Sequence, residues 1–331
     1  MTVGLLFSFF KRIFMNYDIF NGDADGIIAL LQLRLATPQE STLITGVKRD
    51  INLVTKVDAK AGDNLTVLDI SMEKNMVALE LALVSGAEVF YADHHRAGDV
   101  PEHENLSAHI DLDANTCTAL IIDNLLDGQF HAWAITAAYG DNFIAKADEL
   151  ADIAGLSVEQ KIQLKELGTL INYNGYGARV EDLHFSPAVL YQMLLKYASP
   201  FDVIADKASP FYQLQAAYQS DMDNVLAIKA QHKSEKLGLF ELPNEAWARR
   251  ISGVYGNLLA NQSPDSAHAV LTKNTNGSYM VSLRAPLNNK QGAGEICSSF
   301  ATGGGREAAA GIDVLPKERI AEFIAAVEGK Y

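Results

Sequence analysis

Three titratable side chains in a row, Asp93, His94 and His95, follow the apolar run Glu88-Val-Phe-Tyr91. Carboxylates recur at comparable places: Asp23 and Asp25 in Asn21-Gly-Asp-Ala-Asp-Gly26, Asp69 in Thr66-Val-Leu-Asp-Ile-Ser71, and Asp141 after Gly140. Each has an ordinary alternative. Asp and Gly populate common turns, and Asp69 could cap the helix that follows. A carboxylate beside an apolar strand is nonetheless costly unless it is paired or bound to a cation. Several carboxylates with an imidazole suit Mn²⁺ or Mg²⁺, and the histidine favours Mn²⁺. A zinc site would add cysteines or further histidines. Adjacent side chains in extended chain diverge, so His94 and His95 are expected to serve different roles, one towards metal and the other towards substrate.

The elements that would position these groups alternate. Short strands at Tyr17–Phe20, Leu43–Val47, Leu65–Ile70, Ala87–Tyr91 and Ala108–Leu112 are interleaved early on with helices at Ile27–Leu35 and Glu73–Val84, the latter with Ser71 as N-cap. Near-continuous apolar strands between helices describe a parallel sheet covered on both faces, and ligands bind beyond the carboxyl ends of such strands. Asp23, Asp25, Asp69 and Asp93 to His95 all fall at those ends. Further helices are expected at Thr116–Leu126, Phe130–Ala138, Leu150–Ile171 and Pro187–Tyr197, with a Gly/Asn loop over Ile171–Gly177. Tyr212–Lys236 reads as a long charged connector and hinge. From Leu237 the texture becomes that of a smaller α/β domain with strands at Leu237–Phe240, Ala267–Thr272 and Tyr279–Leu283. The fold class is therefore α/β, a parallel-sheet domain with helices on both faces joined by a helical linker to a smaller α/β domain. Its expected limits are 15–200, 201–236 and 237–331.

The chain has 331 residues and a formal charge of −14. That balance speaks against a surface that tracks long nucleic acid, while leaving room for a small anion in a local cationic or metal-lined pocket. Cys117 and Cys297 lie far apart without metal-ligand spacing, which fits a reducing, cytoplasmic setting. Residues 1–14 read as an N-terminal extension. Their apolar run precedes Lys11-Arg12, the wrong order for a secretory signal, and is too short to span a bilayer, leaving only weak membrane contact.

In motif order, Asp23-Ala-Asp25, Asp69, Asp93-His-His95 and Asp141 resemble the DHH phosphoesterase superfamily. Val281-Ser-Leu-Arg284 and Gly303-Gly-Gly-Arg-Glu-Ala-Ala-Ala-Gly311 resemble the arginine strand and glycine-rich loop of its partner domain, DHHA1. The resemblance spans almost the whole chain beyond residue 15. It implies two divalent ions, Mn²⁺ or else Mg²⁺. Asp23 would hold one, Asp25, His94 and Asp141 the other, and Asp69 would bridge them. His95 would contact the scissile phosphate or protonate the leaving oxygen, with Asp93 orienting the neighbouring histidine. Arg284, Arg306 and the Gly303, Gly304 and Gly305 N–H groups would hold the far phosphate.

Two departures stand out. Asn21 replaces a frequent histidine, and Arg306 ends the glycine run where histidine is usual. The implied activity is hydrolysis of short linear oligonucleotides, chiefly dinucleotides, to nucleoside 5′-monophosphates. A 3′-phosphoadenosine 5′-phosphate phosphatase and an inorganic pyrophosphatase are the enzymatic alternatives, and a nucleotide-binding regulator is the alternative of another class. Only Arg284, Lys290 and Arg306 stand out as cations for a pyrophosphate pocket. Homodimer formation is left open. The other histidines, such as His131, His184, His232 and His268, have no partner spacing. His109, Asp111, Asp113, Asn172 and Asn174 are weaker candidates.

Overall fold

The computed structural model describes residues 14–331, so all but the last residue of the expected extension lies outside the described residues. The first sheet contains β1 (Asn16–Phe20), β2 (Thr42–Ile44), β3 (Asn64–Leu68), β4 (Glu88–Asp93) and β5 (Leu106–Ile110), all parallel in the order β2-β1-β3-β4-β5. Helices α1 (Ala24–Ala36) and α2 (Met72–Val84) cross between strands. Alternation along each strand sends side chains to opposite faces. Phe20, Leu68 and Ala92 pack in one fully buried cluster with α1, whereas Ile19, Val67 and Tyr91 pack in another with Met72, Leu79 and Leu83 of α2. Each such buried large side chain contributes roughly 1.5–3 kcal/mol from burial, so both sheet faces are covered as expected.

The first cluster is completed by α3 (Thr118–Leu125), α4 (His131–Gly140), α5 (Ile144–Ile153), α6 (Val158–Gly175), α7 (Pro187–Leu194), α8 (Pro200–Ala205) and α9 (Pro210–Leu226). The second sheet is formed by β6 (Ala230–Lys233), β7 (Leu237–Leu242), β8 (Ala267–Lys273), β9 (Tyr279–Arg284), β10 (Gly303–Gly305) and β11 (Ala309–Leu315), in the order β10-β11-β9-β8-β7-β6. Its β7–β8 pair is parallel and the others are antiparallel. Helices α10 (Ala246–Gln262), α11 (Ala293–Ser298) and α12 (Ile320–Lys330) accompany it.

Several expected boundaries are corrected. The Asp23/Asp25 stretch is not a free turn: α1 starts at Ala24, so Asp23 is its N-cap and Asp25 lies in its first turn. The helix expected over Leu150–Ile171 is two helices, interrupted near Gly155, whose φ of +71° ends α5. Residues 171–175 continue α6 instead of looping. Asn174 is held by paired hydrogen bonds with the Phe185 backbone, which outweigh the poor helix propensity of Asn and Gly. The helix expected to reach Lys236 stops at Leu226, and Ala230–Lys233 pairs with β7. Two charge pairs tie α10 to Asp182, between α6 and α7, and to Asp221 of α9. Arg249 grips Asp182 at 2.8 and 2.9 Å, and Arg250 grips Asp221 at 2.9 and 3.1 Å.

Candidate active site

From β1 the chain passes outward to β2 and returns to β3 on the other side of β1. This reversal opens the crevice at which open parallel sheets bind ligands. Asp23 follows β1 and Asp69 follows β3, one on each side of it. Asp93 ends β4, with His94 and His95 next, and Asp141 caps the C-terminus of α4 beside them.

Each carboxylate is anchored by an identifiable contact. Asp23 Oδ1 accepts from the Asp25 and Gly26 N–H groups, both at 3.1 Å, leaving Oδ2 towards the site. Asp25 receives the Thr118 and Ala119 N–H groups at 2.8 Å each, closing the N-terminus of α3. Asp69 has φ of +57°, a left-handed conformation that turns it out of the strand end, and its Oδ1 accepts from Thr118 Oγ1 at 3.3 Å. Asp69 therefore does not cap α2, and it lies just past the strand it was expected to interrupt. Burial, and then repulsion from Asp25, Asp23, Asp93 and Asp141, raises its carboxyl well above the usual range.

The two histidines have different partners. His94 Nδ1 lies 3.0 Å from the Thr116 carbonyl, which can only accept, so Nδ1 carries the proton. Nε2 is then a bare lone pair, 3.5 Å from Asp69 Oδ1, 3.8 Å from Asp25 Oδ2 and 4.0 Å from Asp141 Oδ2. A lone pair facing three carboxyl groups is poorly placed without a cation among them, and the carbonyl-bound Nδ1–H is the usual arrangement of a metal-ligating imidazole. Burial lowers the His94 pKa, helped by His95 and Arg306. His95 Nδ1 pairs with Asp93 Oδ1 at 2.7 Å. Burial opposes its protonation, but the Asp93 hydrogen bond and charge prevail and raise its pKa. Asp93 thus orients His95 rather than His94. Among the described residues, buried Asp93 Oδ2 and Asn21 Oδ1 have no hydrogen-bond partner. Asp69, His94 and His95 approach closely enough to share a cation. The donor chemistry present, carboxylates around an imidazole lone pair, therefore fits a divalent metal.

The sequence reading missed Lys48. Its backbone is pinned by the Gly175 carbonyl and by Asn21 Nδ2, where a Cβ on Gly22 would lie 1.9 Å from the Gly46 oxygen. Its ammonium pairs with Asp23 Oδ2, with Asp141 Oδ1 at 3.2 Å and with Asn172 Oδ1 at 3.2 Å. Burial resists the charge, but Asp23 and Asp141 outweigh it and raise the Lys48 pKa well above normal. Lys48 in turn outweighs burial at both carboxyls, holding Asp23 and Asp141 below the usual range. The available signal was position: Lys48-Arg49 follows β2 at the same sheet edge as the acids.

Arg306 reaches Asp141 at 3.5 Å, which raises its pKa, and lies over the Phe143 ring. Arg284 bonds to Asn257 Oδ1 at 2.6 Å, Ser282 Oγ at 3.0 Å and the Gly253 carbonyl at 3.2 Å, with no carboxylate among its partners. Burial, then Arg306 and Arg49, pushes its pKa down. The expected glycine loop is instead strand β10. The Gly303 N–H is used by the Phe300 carbonyl, and a Cβ there would lie 1.8 Å from the Cys297 oxygen, so this glycine serves close packing rather than anion capture. Lys290 is exposed, and His109 stacks near Phe90 on the β5 side.

No protein-family model matches this sequence, and no curated protein is found similar to it. Solved structures do share its fold. The exonuclease RecJ bound to manganese aligns with a TM-score of 0.59 at 15% identity, over 96% of this chain and 89% of that one. RecJ from Thermus thermophilus in complex with Mn²⁺ gives 0.54 at 15%, with this chain covering 52% of it. The pGpG-specific phosphodiesterase PggH from Vibrio cholerae gives 0.52 at 15%, over 96% of this chain and 98% of that one. The fold implied by the motif resemblance is therefore the fold present.

Proposed function

We propose that this protein is a metal-dependent phosphodiesterase that hydrolyses short linear oligonucleotides, dinucleotides first, to nucleoside 5′-monophosphates. The observation that carries this reading is the bare Nε2 of His94 facing Asp25, Asp69 and Asp141, in a fold shared with RecJ and PggH. Divalent cations held by Asp23, Asp25, Asp69, His94 and Asp141 would supply Lewis acidity and an activated water. The protein's own groups do the rest. Asp93 orients His95 and raises its pKa, and His95 gives a proton to the leaving 3′ oxygen. Arg284 and Arg306 hold the substrate's far phosphate, where guanidinium geometry suits bidentate contact.

The acidic balance of the chain supports small substrates over long strands, and the coverage of PggH nearly end to end supports the dinucleotide class. Two buried free cysteines support action in a reducing compartment such as the cytoplasm. The convergence of Lys48, Arg49, Arg284 and Arg306 is more cationic than the sequence alone indicated. It favours a phosphate-rich substrate such as 3′-phosphoadenosine 5′-phosphate or pyrophosphate as the second reading. Turnover with Mn²⁺ of 5′-phosphorylated dinucleotides, a longer oligomer, 3′-phosphoadenosine 5′-phosphate and pyrophosphate separates the two. Preference for dinucleotides is the expected result, and cleavage confined to the monoester or pyrophosphate would replace it.

A further inference from the structure

The strands of the second sheet have two ends with different surroundings. β9 runs from Tyr279 to Arg284, so its ends stand roughly 17 Å apart. Arg284 lies at the cleft. At the Tyr279 end, between the sheet and the start of α12, is a cavity of about 480 Å³, within the roughly 300–1,000 Å³ of small-molecule sites. The apolar face of the sheet stops there. Leu237, Leu239, Ala269 and Leu271 pack with Phe323 and Val327 of α12, and the next residues on that face of β7 and β8 are Glu241 and Lys273.

Glu241 is the fixed anion of the cavity. Its Oε1 accepts from the Tyr279 hydroxyl at 3.0 Å and pairs with the Lys273 ammonium at 2.8 Å. Burial opposes its ionisation, but hydrogen bonds from Lys273 and Tyr279 prevail and lower its pKa. The carboxylate is thus satisfied, and the open bonding capacity belongs to other groups. Lys273 keeps two further donors. Lys317 is exposed at the cavity and has no ion-pair partner among the described residues. Asn274 spends its Nδ2 on Ser278 Oγ at 2.9 Å and the Asp313 carbonyl at 3.0 Å, which leaves Oδ1 as an acceptor. Gln231 adds a second side-chain amide. Two ammonium groups and two amides around one neutralised carboxylate suit a ligand with an anionic end and a hydrogen-bonding edge. A bare phosphate would use only the cations and fill a small part of the space.

We infer that this cavity is a nucleotide site separate from the metal-ligand acids, taking a nucleoside monophosphate with its phosphate on Lys273 and Lys317 and its base edge on Asn274 and Gln231. The inference goes beyond the phosphodiesterase reading and requires no turnover.

The test is photolabelling of the full chain, in excess chelator, with 8-azidoadenosine 5′-monophosphate, followed by peptide mapping. Saturable label is expected within residues 271–279 or 314–320, displaced by adenosine 5′-monophosphate but not by the same concentration of inorganic phosphate. Lys273→Ala combined with Lys317→Ala, verified as folded by thermal melt, should weaken half-saturation about tenfold or more, the scale of a charge-assisted hydrogen bond. Lys317→Ala alone removes no internal contact and should weaken it to an intermediate degree. Label confined to other segments, or equal labelling of wild type and both variants, would overturn the site. Displacement by inorganic phosphate as readily as by the mononucleotide would overturn its assignment to nucleotides. Because cleavage is not read, either failure leaves the phosphodiesterase reading standing, and loss of that reading leaves this site standing.

Discussion

Lys48 Nζ lies 3.2 Å from Asp141 Oδ1 and is paired at the same time with Asp23, so one ammonium neutralises two carboxylates proposed to face different cations. Lysine and metal therefore stabilise the same acids. Lys48→Met should cost about 1–3 kcal/mol of stability in chelator, less than the loss of a fully buried pair because the lysine is partly exposed. With saturating Mn²⁺ the cost should shrink to below about 1 kcal/mol, since ion binding stabilises the folded state that presents those carboxylates. Urea unfolding under the two conditions measures both numbers. Equal losses would mean that Lys48 and metal do not share these ligands.

Asp69 is the carboxyl most strained by its neighbours. Its folded pKa is raised, so its contribution to stability is present below the ordinary carboxylate pKa and is lost as pH rises through the raised value. In chelator, wild-type stability should therefore decline from about pH 4 upward, and Asp69→Asn should remove part of that decline. Asparagine tolerates the +57° backbone angle, which makes it a cleaner replacement than alanine. Mn²⁺ at roughly a hundred times its dissociation constant should raise the wild-type Tm by about 4 °C. The variant should show little shift, and its turnover should fall roughly a hundredfold or more. Thermal melts across pH, with and without Mn²⁺, provide the check.

A third expectation concerns His95 and Asp93. A general acid must be protonated, and Asp93 raises the His95 pKa, so activity should fall as pH passes through that raised value. Asp93→Asn removes the charge that raises it. The descending limb of kcat against pH should move to lower pH, with a smaller effect on KM. An unmoved limb would take the acid role from His95.

These sites differ in how far the sequence disclosed them. The alternation of apolar strands and helices was enough to place Asp23, Asp69 and Asp93 at one sheet edge, because in a parallel sheet the ends of strands share a side. Asp141 and Arg306 were recognisable only through motif resemblance. Their meeting at 3.5 Å depends on tertiary packing between distant segments. Residues 171–175 were misread for a related reason: the low helix propensity of Asn172 and Asn174 is overridden by contacts to Lys48 and Phe185. Lys48 and Arg49 sat at the right strand end, but a Lys-Arg pair is so often a solvated surface that its sign alone could not single it out.

The clamp between α10 and Asp182 gives a stability prediction independent of metal. Burial opposes ionisation of Asp182, but hydrogen bonds from Arg249 prevail and lower its pKa. A depressed carboxyl contributes stability above its ordinary pKa and loses it as pH falls through the folded value. Arg249→Met should cost about 2–4 kcal/mol at pH 7, and its gap from wild type should narrow below about pH 4. Denaturant midpoints at the two pH values test this, and a gap independent of pH would contradict it.

The most direct test of the central claim is product analysis of a 5′-phosphorylated dinucleotide incubated with the full chain in Mn²⁺ and, in parallel, in excess chelator. The account predicts conversion to two nucleoside 5′-monophosphates with Mn²⁺ and none in chelator, with activity returning when Mn²⁺ is restored. Undiminished cleavage in chelator, or an intact dinucleotide in both, would contradict the assignment of Asp23, Asp25, Asp69, His94 and Asp141 to a hydrolytic metal centre.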